Sequence, residues 1–131
     1  MSYAMSITLD RSFEDVVIDV RAALAEQGFG ILTEINLQET LRNKIGVEID
    51  KQLILGACSP AHAYRALQAE PTIGLLLPCN VVVRSADTRT VVDIVNPQIM
   101  VDLADSPDMD AIAGEVAEKL TAVLESLKKS T

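Results

Sequence analysis

Residues 79–95 read Cys79-Asn-Val-Val-Val-Arg-Ser-Ala-Asp-Thr-Arg-Thr-Val-Val-Asp-Ile-Val95, and this stretch decides the fold class. Its three consecutive valines at 81–83 predict a strand, because β-branched side chains favour a pleated backbone. A turn at residues 86–89 joins that strand to a second one at residues 90–95, which indicates an antiparallel hairpin. A hairpin this late in the chain favours an α+β fold over a parallel α/β sheet.

The segments around the hairpin alternate between helix and strand patterns. Apolar spacing and glycine, proline and serine boundaries predict strands at residues 3–9, 30–36 and 52–57, and helices at residues 12–28, 37–45, 59–70 and 106–127. No linker or low-complexity stretch divides the chain. We therefore expect residues 1–131 to form a single compact domain with a mixed, mainly antiparallel sheet and helices packed on it.

Composition limits the function classes. Hydrophobic residues make up 49% of the chain but aromatic residues only 3%, so the core is expected to be aliphatic. Nineteen acidic against eleven basic residues give a net charge of −8, which disfavours nucleic acid and anionic membranes as partners. The first residues lack a secretory signal pattern, so we expect a cytoplasmic protein with reduced cysteines.

Two cysteines follow apolar runs at similar places. Cys58 directly precedes Ser59-Pro60, the predicted start of a helix, where unpaired N–H groups and the helix dipole favour a thiolate. A small buried hydrophobic residue is the equally weighted alternative for Cys58, since free cysteines are often buried. For Cys79, which no helix follows, burial is the favoured interpretation.

His62 lies four residues after Cys58 and is the only histidine of the chain. The two residues suggest a Cys-His nucleophile pair or, together with Cys79, three ligands of a soft metal. A lone histidine on a first helical turn is more often solvated, however, and the spacing matches no zinc finger or ribbon. The metal interpretation of Cys58, Cys79 and His62 therefore stays a minor candidate.

Four segments together resemble the bacterial and archaeal family known as domain of unknown function 302. They are Gly28-Phe-Gly-Ile-Leu-Thr-Glu-Ile35, Leu55-Gly-Ala-Cys-Ser-Pro60, Arg65-Ala-Leu67 and Gly74-Leu-Leu-Leu-Pro-Cys-Asn-Val-Val-Val83. The resemblance covers nearly the whole chain, and Leu-Pro-Cys-Asn is its most distinctive part. It implies a small α+β domain that forms a homodimer, and it implies no established activity.

The resemblance also bears on the candidate residues. It supports Cys58 with Pro60, Pro78 with Cys79, and the pair Thr33-Glu34. It does not support His62, since the aromatic residue or histidine frequent on this helix in the family falls at Tyr64. Asn36 stands where the family tends to carry an aspartate.

Three hypotheses follow for the function. The leading one is a small-ligand or soft-metal binding protein whose pocket is lined by Cys58 and Cys79, with Glu34 and Tyr64 as polar neighbours. The alternative is a thiol-based redox or nucleophilic enzyme that uses Cys58, with Cys79 as its resolving partner. The third is a structural or interaction module without thiol chemistry. The sequence assigns no cofactor.

Overall fold

A five-stranded sheet forms the centre of the structure, a computed structural model that describes residues 2–104 and 106–129. All four strand pairings are antiparallel, in the order β1-β5-β4-β3-β2. The hairpin of β4 and β5 is confirmed, with Val83 opposite Val92. The predicted α+β class is therefore confirmed. The strands are β1 (Ala4–Leu9), β2 (Gly30–Asn36), β3 (Gln52–Cys58), β4 (Cys79–Ala86) and β5 (Arg89–Val95).

Five α-helices and one short 3₁₀ helix connect and cover these strands in the described ranges. Ser12 caps the first helix, its hydroxyl accepting from the Asp15 N–H, and Gly46 ends the second in the left-handed conformation that glycine favours. None of the helices in the described residues combines the length and apolar character needed to cross a bilayer. The helices are α1 (Phe13–Glu26), α2 (Leu37–Ile45), α3 (Pro60–Ala69), α4 (Gln98–Leu103) and α5 (Met109–Lys129), and the 3₁₀ helix covers Pro71–Leu76.

The main core lies between one face of the sheet and the helices α1 and α5. Alternate residues of each strand face this layer, as the period of two requires. The core is aliphatic, as its composition predicts, and Phe29 is the only fully buried aromatic side chain among the described residues. Its largest fully buried members are Leu24, Leu55, Ile94, Leu120 and Leu127.

A second, smaller cluster closes the end of the sheet where β3 ends and β4 begins. It joins α3, the 3₁₀ helix, α4 and the start of α5 through Ala66, Ile73, Met100, Met109 and Ile112. The sequence patterns did not predict α4 or the 3₁₀ helix. With Ser106 as its predicted cap, the last helix was expected from Pro107, but it begins two residues later, at Met109, whose N–H donates to the Ser106 carbonyl in a preceding turn. Residue 105, beside the predicted cap Ser106, lies outside the described residues.

Candidate functional site

The two cysteines lie on neighbouring strands at the same end of the sheet. Cys58 is the last residue of β3 and half-buried, whereas Cys79 is the first residue of β4 and 7% exposed. Cys79 is paired with Ala57 across the strands, and successive side chains of a strand point to opposite faces. Both thiols are free, and they are not close to each other. The predicted cysteine pair is not formed.

An apolar cavity lies between the end of β3, helix α3 and helix α5. Its free interior is about 20 Å³, room for little more than one water molecule, and almost all of its exposed wall is apolar. Cys79 and Met100 belong to its inner wall, while Cys58, Ser59 and His62 bring polar atoms to it. Its remaining lining residues are Phe29, Ala57, Ala63, Ala66, Leu77, Ile112 and Val116.

Burial controls the chemistry of Cys79. Loss of solvation raises the pKa of its thiol to about 11, and the Cys58 thiol acts in the same direction by charge repulsion. At neutral pH Cys79 is therefore a protonated thiol, which is a poor nucleophile and a poor metal ligand. This disfavours Cys79 as the resolving partner of a redox site.

A polar network runs along the side of the cavity formed by α3 and α5. Ser59 Oγ and His62 Nδ1 are 2.7 Å apart, and His62 Nε2 lies 3.1 Å from Glu115 Oε1. Arg65 donates to both oxygens of Glu115, at 2.8 and 3.1 Å. Ser59 is the N-cap residue of α3, but its hydroxyl caps no backbone N–H and faces His62 instead.

The charges of this network fix the direction of its hydrogen bonds. The Arg65 hydrogen bonds, and then that of His62, lower the pKa of Glu115 to about 2, so this side chain is a carboxylate that only accepts. His62 Nε2 therefore carries the proton that it donates to Glu115. In the neutral imidazole Nδ1 is then an acceptor, and the Ser59 hydroxyl donates to it.

The structure places the other predicted site residues away from the cavity. Glu34, on the edge strand β2, forms an ion pair with Arg21 of α1. Tyr64 is 64% exposed, and its hydroxyl accepts from Gln68 one turn along α3. The burial pattern of α3 turns Ala66 inward and leaves Tyr64 outside. Neither Glu34 nor Tyr64 lines the cavity.

The structure also lacks the contacts that a Cys58–His62 nucleophile pair or a metal site would need. Both ring nitrogens of His62 are occupied, by Ser59 and Glu115, so His62 forms no hydrogen-bonded pair with Cys58. Across residues 2–104 and 106–129, no three His, Cys, Asp or Glu side chains are grouped to hold a metal ion. Cys58, Cys79 and His62 share a cavity wall without forming a ligand set.

Thr33 and Glu34 have different structural roles. Thr33 lies opposite Gly56 of β3, and its side chain and the ring of Pro78 fill the space that a side chain at Gly56 would occupy. Glycine is thus required where β2, β3 and the start of β4 approach each other, two residues before Cys58. This contact fixes the strand ends that border the cavity.

Three members of the polar network are absent from the sequence-based candidates: Glu115, Arg65 and Ser59, which the sequence predicts only as a helix start. Glu115 is separated from His62 by 53 residues and lies on the solvent side of a long helix. In the sequence, Glu115 has the polarity and spacing of an ordinary solvent-facing helix residue. Arg65 is one turn after His62, and this spacing places both side chains on one side of α3. It is the only feature of the sequence that points to a shared partner.

Comparisons with known proteins give a family and a fold. A family model described as a domain of unknown function, DUF302, matches residues 5–127. No curated protein matches the chain. A solved structure, the crystal structure of an uncharacterized conserved DUF302 protein from Bacillus stearothermophilus, is similar with a TM-score of 0.90 and 24% sequence identity. The match covers 97% of this chain and 99% of that one, which shows a shared fold.

Proposed function

The chain belongs to the DUF302 family, a domain of unknown function, and for this member we propose that the cavity beside Cys58 and Cys79 binds a small, mainly apolar molecule. The observation that carries the proposal is the cavity itself. It has an apolar interior and a few polar groups gathered on one side, which is the usual composition of a small-molecule site.

The cavity wall defines the chemistry of the ligand. Met100, Ile112 and Val116 offer only apolar contacts, so the inner part suits a short alkyl group. Ser59 and His62 lie on the same lining and supply the polar side. The free interior of about 20 Å³ holds little more than one water molecule, so a short alkyl chain can enter only if lining side chains move aside. The fitting class is therefore a short alkyl chain with one carbonyl or hydroxyl oxygen.

A titration with 2-pentanone, observed by amide chemical shifts, tests this proposal. The ketone combines a short alkyl chain with a carbonyl oxygen and is not hydrolysed. We expect shifts concentrated in residues 57–66, 77–79 and 112–116, with a roughly millimolar dissociation constant for so small a ligand.

Two variants of α3 serve as a matched pair for the titration. Ala63→Leu places a larger side chain on the cavity lining and should weaken binding at least several-fold. Ala61→Leu makes the same change at an exposed position of the same helix, outside the lining, and should leave binding unchanged. Equal binding by the two variants, or shifts scattered over the surface, would contradict a ligand site in this cavity.

Thiol chemistry at Cys58 is the less favoured function. Cys58 is half-buried and precedes the start of α3, which supports a reactive thiol. Because Cys79 is buried and the two thiols are not close, Cys58 has no resolving partner in Cys79. Replacement of Cys58 by alanine distinguishes the functions, since 2-pentanone binding should persist in that variant.

The homodimer implied by the family resemblance is also a proposal. On the sheet face opposite α1 and α5, Ile54 of β3 lies between Ile35 of β2 and Val82 of β4, which gives an apolar strip. Light scattering on the purified chain tests it. A dimer predicts twice the mass of 14.1 kDa, and a mass of one chain at micromolar concentration contradicts it.

A further inference from the structure

The polar network beside the cavity has the connectivity of a nucleophile, a base and an orienting carboxylate. The hydroxyl of Ser59 is 2.7 Å from His62 Nδ1, within the distance at which a base removes a proton. The other ring nitrogen is held by Glu115 at 3.1 Å. The ring nitrogens are used in the opposite order to the usual Ser-His-Asp triad, but the proton path is equivalent, because either nitrogen of a neutral imidazole accepts when the other is protonated.

The network is open on the side where a substrate would lie. Ser59 and His62 both line the apolar cavity, whereas Glu115 and Arg65 lie outside it. The His62 side chain is 13% exposed, so it is shielded from water and held in one orientation. A molecule in the cavity would therefore lie beside Ser59 and His62.

The first turn of α3 supplies donors next to that hydroxyl. Pro60 has no N–H, and the first backbone bond of the helix runs from the Ala63 N–H to the Ser59 carbonyl at 2.9 Å. Among the described residues, the backbone hydrogen bonds outside the helix ladders include none from the N–H groups of Ala61 and His62. Such N–H groups stabilise negative charge on an oxygen.

From these contacts we propose that Ser59 is the nucleophile of an acyl-transfer site, with His62 as its general base and a short-chain carboxylic ester as substrate. The inference rests on the proposed ligand site, because the acyl chain would lie in that cavity, which must widen to take it. Glu115 is a positioning residue that holds the imidazole, and Arg65 in turn holds Glu115.

The reaction balances with water as the second reactant. Ser59 Oγ attacks the ester carbonyl carbon while its proton passes to His62 Nδ1. The alkoxide leaves with that proton as an alcohol, and an acyl-serine remains. Water then attacks the acyl carbon and gives a proton to His62, the bond to Oγ breaks, and the proton returns to Ser59 as the carboxylic acid is released.

Hydrolysis of p-nitrophenyl acetate by the purified chain tests the proposal. Ser59→Ala and His62→Gln should each lower the rate at least about 100-fold, the size expected for loss of a nucleophile or a general base. Ser12→Ala is the matched control, since it removes the N-cap hydroxyl of α1 far from the cavity, and should leave the rate unchanged. Glu115→Gln should lower kcat and leave KM unchanged, an effect that a merely structural role would not produce.

A covalent probe identifies the nucleophile independently of turnover. Diisopropyl fluorophosphate should form a bond to Ser59 Oγ with loss of fluoride, and peptide mass spectrometry should place the added group on Ser59. Equal hydrolysis by wild type and Ser59→Ala, or labelling of another residue alone, overturns the proposal.

The 2-pentanone titration distinguishes failure of the acyl-transfer proposal from failure of the proposed ligand site. If 2-pentanone binds in the cavity and Ser59 shows no chemistry, the ligand site stands and the acyl-transfer inference falls. If 2-pentanone does not bind, both fall.

Discussion

Substitution of Gly56 by alanine probes the contact that fixes the strand ends beside the cavity. A methyl group on Gly56 would overlap the Thr33 hydroxyl and lie 2.7 Å from Pro78 Cγ. Ordinary carbon contacts are about 3.5–4.0 Å, so both neighbours must move. Thr33 is part of β2 and Pro78 is a ring next to β4, and neither is the far end of a flexible chain.

The cost follows from overpacking. Inserting a methyl group into a filled site costs about 1–3 kcal/mol, and with two neighbours displaced we expect about 3 kcal/mol. For a chain of this size about 4 °C of melting temperature corresponds to 1 kcal/mol, so Gly56→Ala should melt roughly 10 °C lower. Thermal unfolding followed by circular dichroism measures the shift.

Gly114→Ala is the matched control. Gly114 is exposed within α5 and nothing lies within 4 Å of the added methyl group. Because alanine favours a helix over glycine by about 1 kcal/mol, this variant should melt a few degrees higher than wild type. In the Gly56→Ala background, Thr33→Ala should restore part of the loss. A Gly56→Ala protein that melts with wild type would refute the close approach of the three strands.

Two further predictions concern ionisable groups near the cavity. Burial raises the pKa of Cys79 from 9.0 to about 11. Its thiol should therefore resist iodoacetamide at pH 8, while the half-buried Cys58 is alkylated. Rapid modification of Cys79 in the folded protein would contradict this. Between pH 9 and 11 the unfolded chain loses the Cys79 proton while the folded state keeps it. The free energy of unfolding should therefore fall by about 3 kcal/mol over this range, with no such effect below pH 9. Alkaline unfolding curves of Cys79→Ala should lack this loss. Because the Arg65 bond lowers the pKa of Glu115 to about 2, a carboxyl NMR titration should show a midpoint near 2 that rises in Arg65→Met. The stability that the Glu115–Arg65 pair contributes is present above the usual carboxyl pKa and is lost as the pH falls towards 2. A titration midpoint near 4.5 for Glu115 in wild type would be inconsistent with the network.

Local patterns predicted most of the fold because the deciding signals are local. The valines at 81–83 and the turn before Thr90 defined the hairpin, and Gly46 marked the end of α2. The two missed elements begin at prolines, which the sequence patterns used only as element boundaries. Pro71 instead occupies the first position of the 3₁₀ helix and Pro97 the N-cap of α4, where a missing N–H costs nothing.

The candidate site was predictable only in part. The Ser59-Pro60 helix start and the nearby His62 are visible in the sequence, but the partner that orients the imidazole, Glu115, is brought close only by the packing of α3 against α5. The similar positions of Cys58 and Cys79 suggested a pair. The strand register pairs Cys79 with Ala57 instead of Cys58, and sequence spacing does not reveal that register.

The most direct measurement is a crystal structure of the chain grown with 2-pentanone. We expect one ketone molecule in the cavity, with its alkyl chain against Met100 and Val116 and its oxygen towards Ser59. A ketone bound only elsewhere, or a cavity filled by rearranged side chains, would contradict a ligand site beside Cys58 and Cys79.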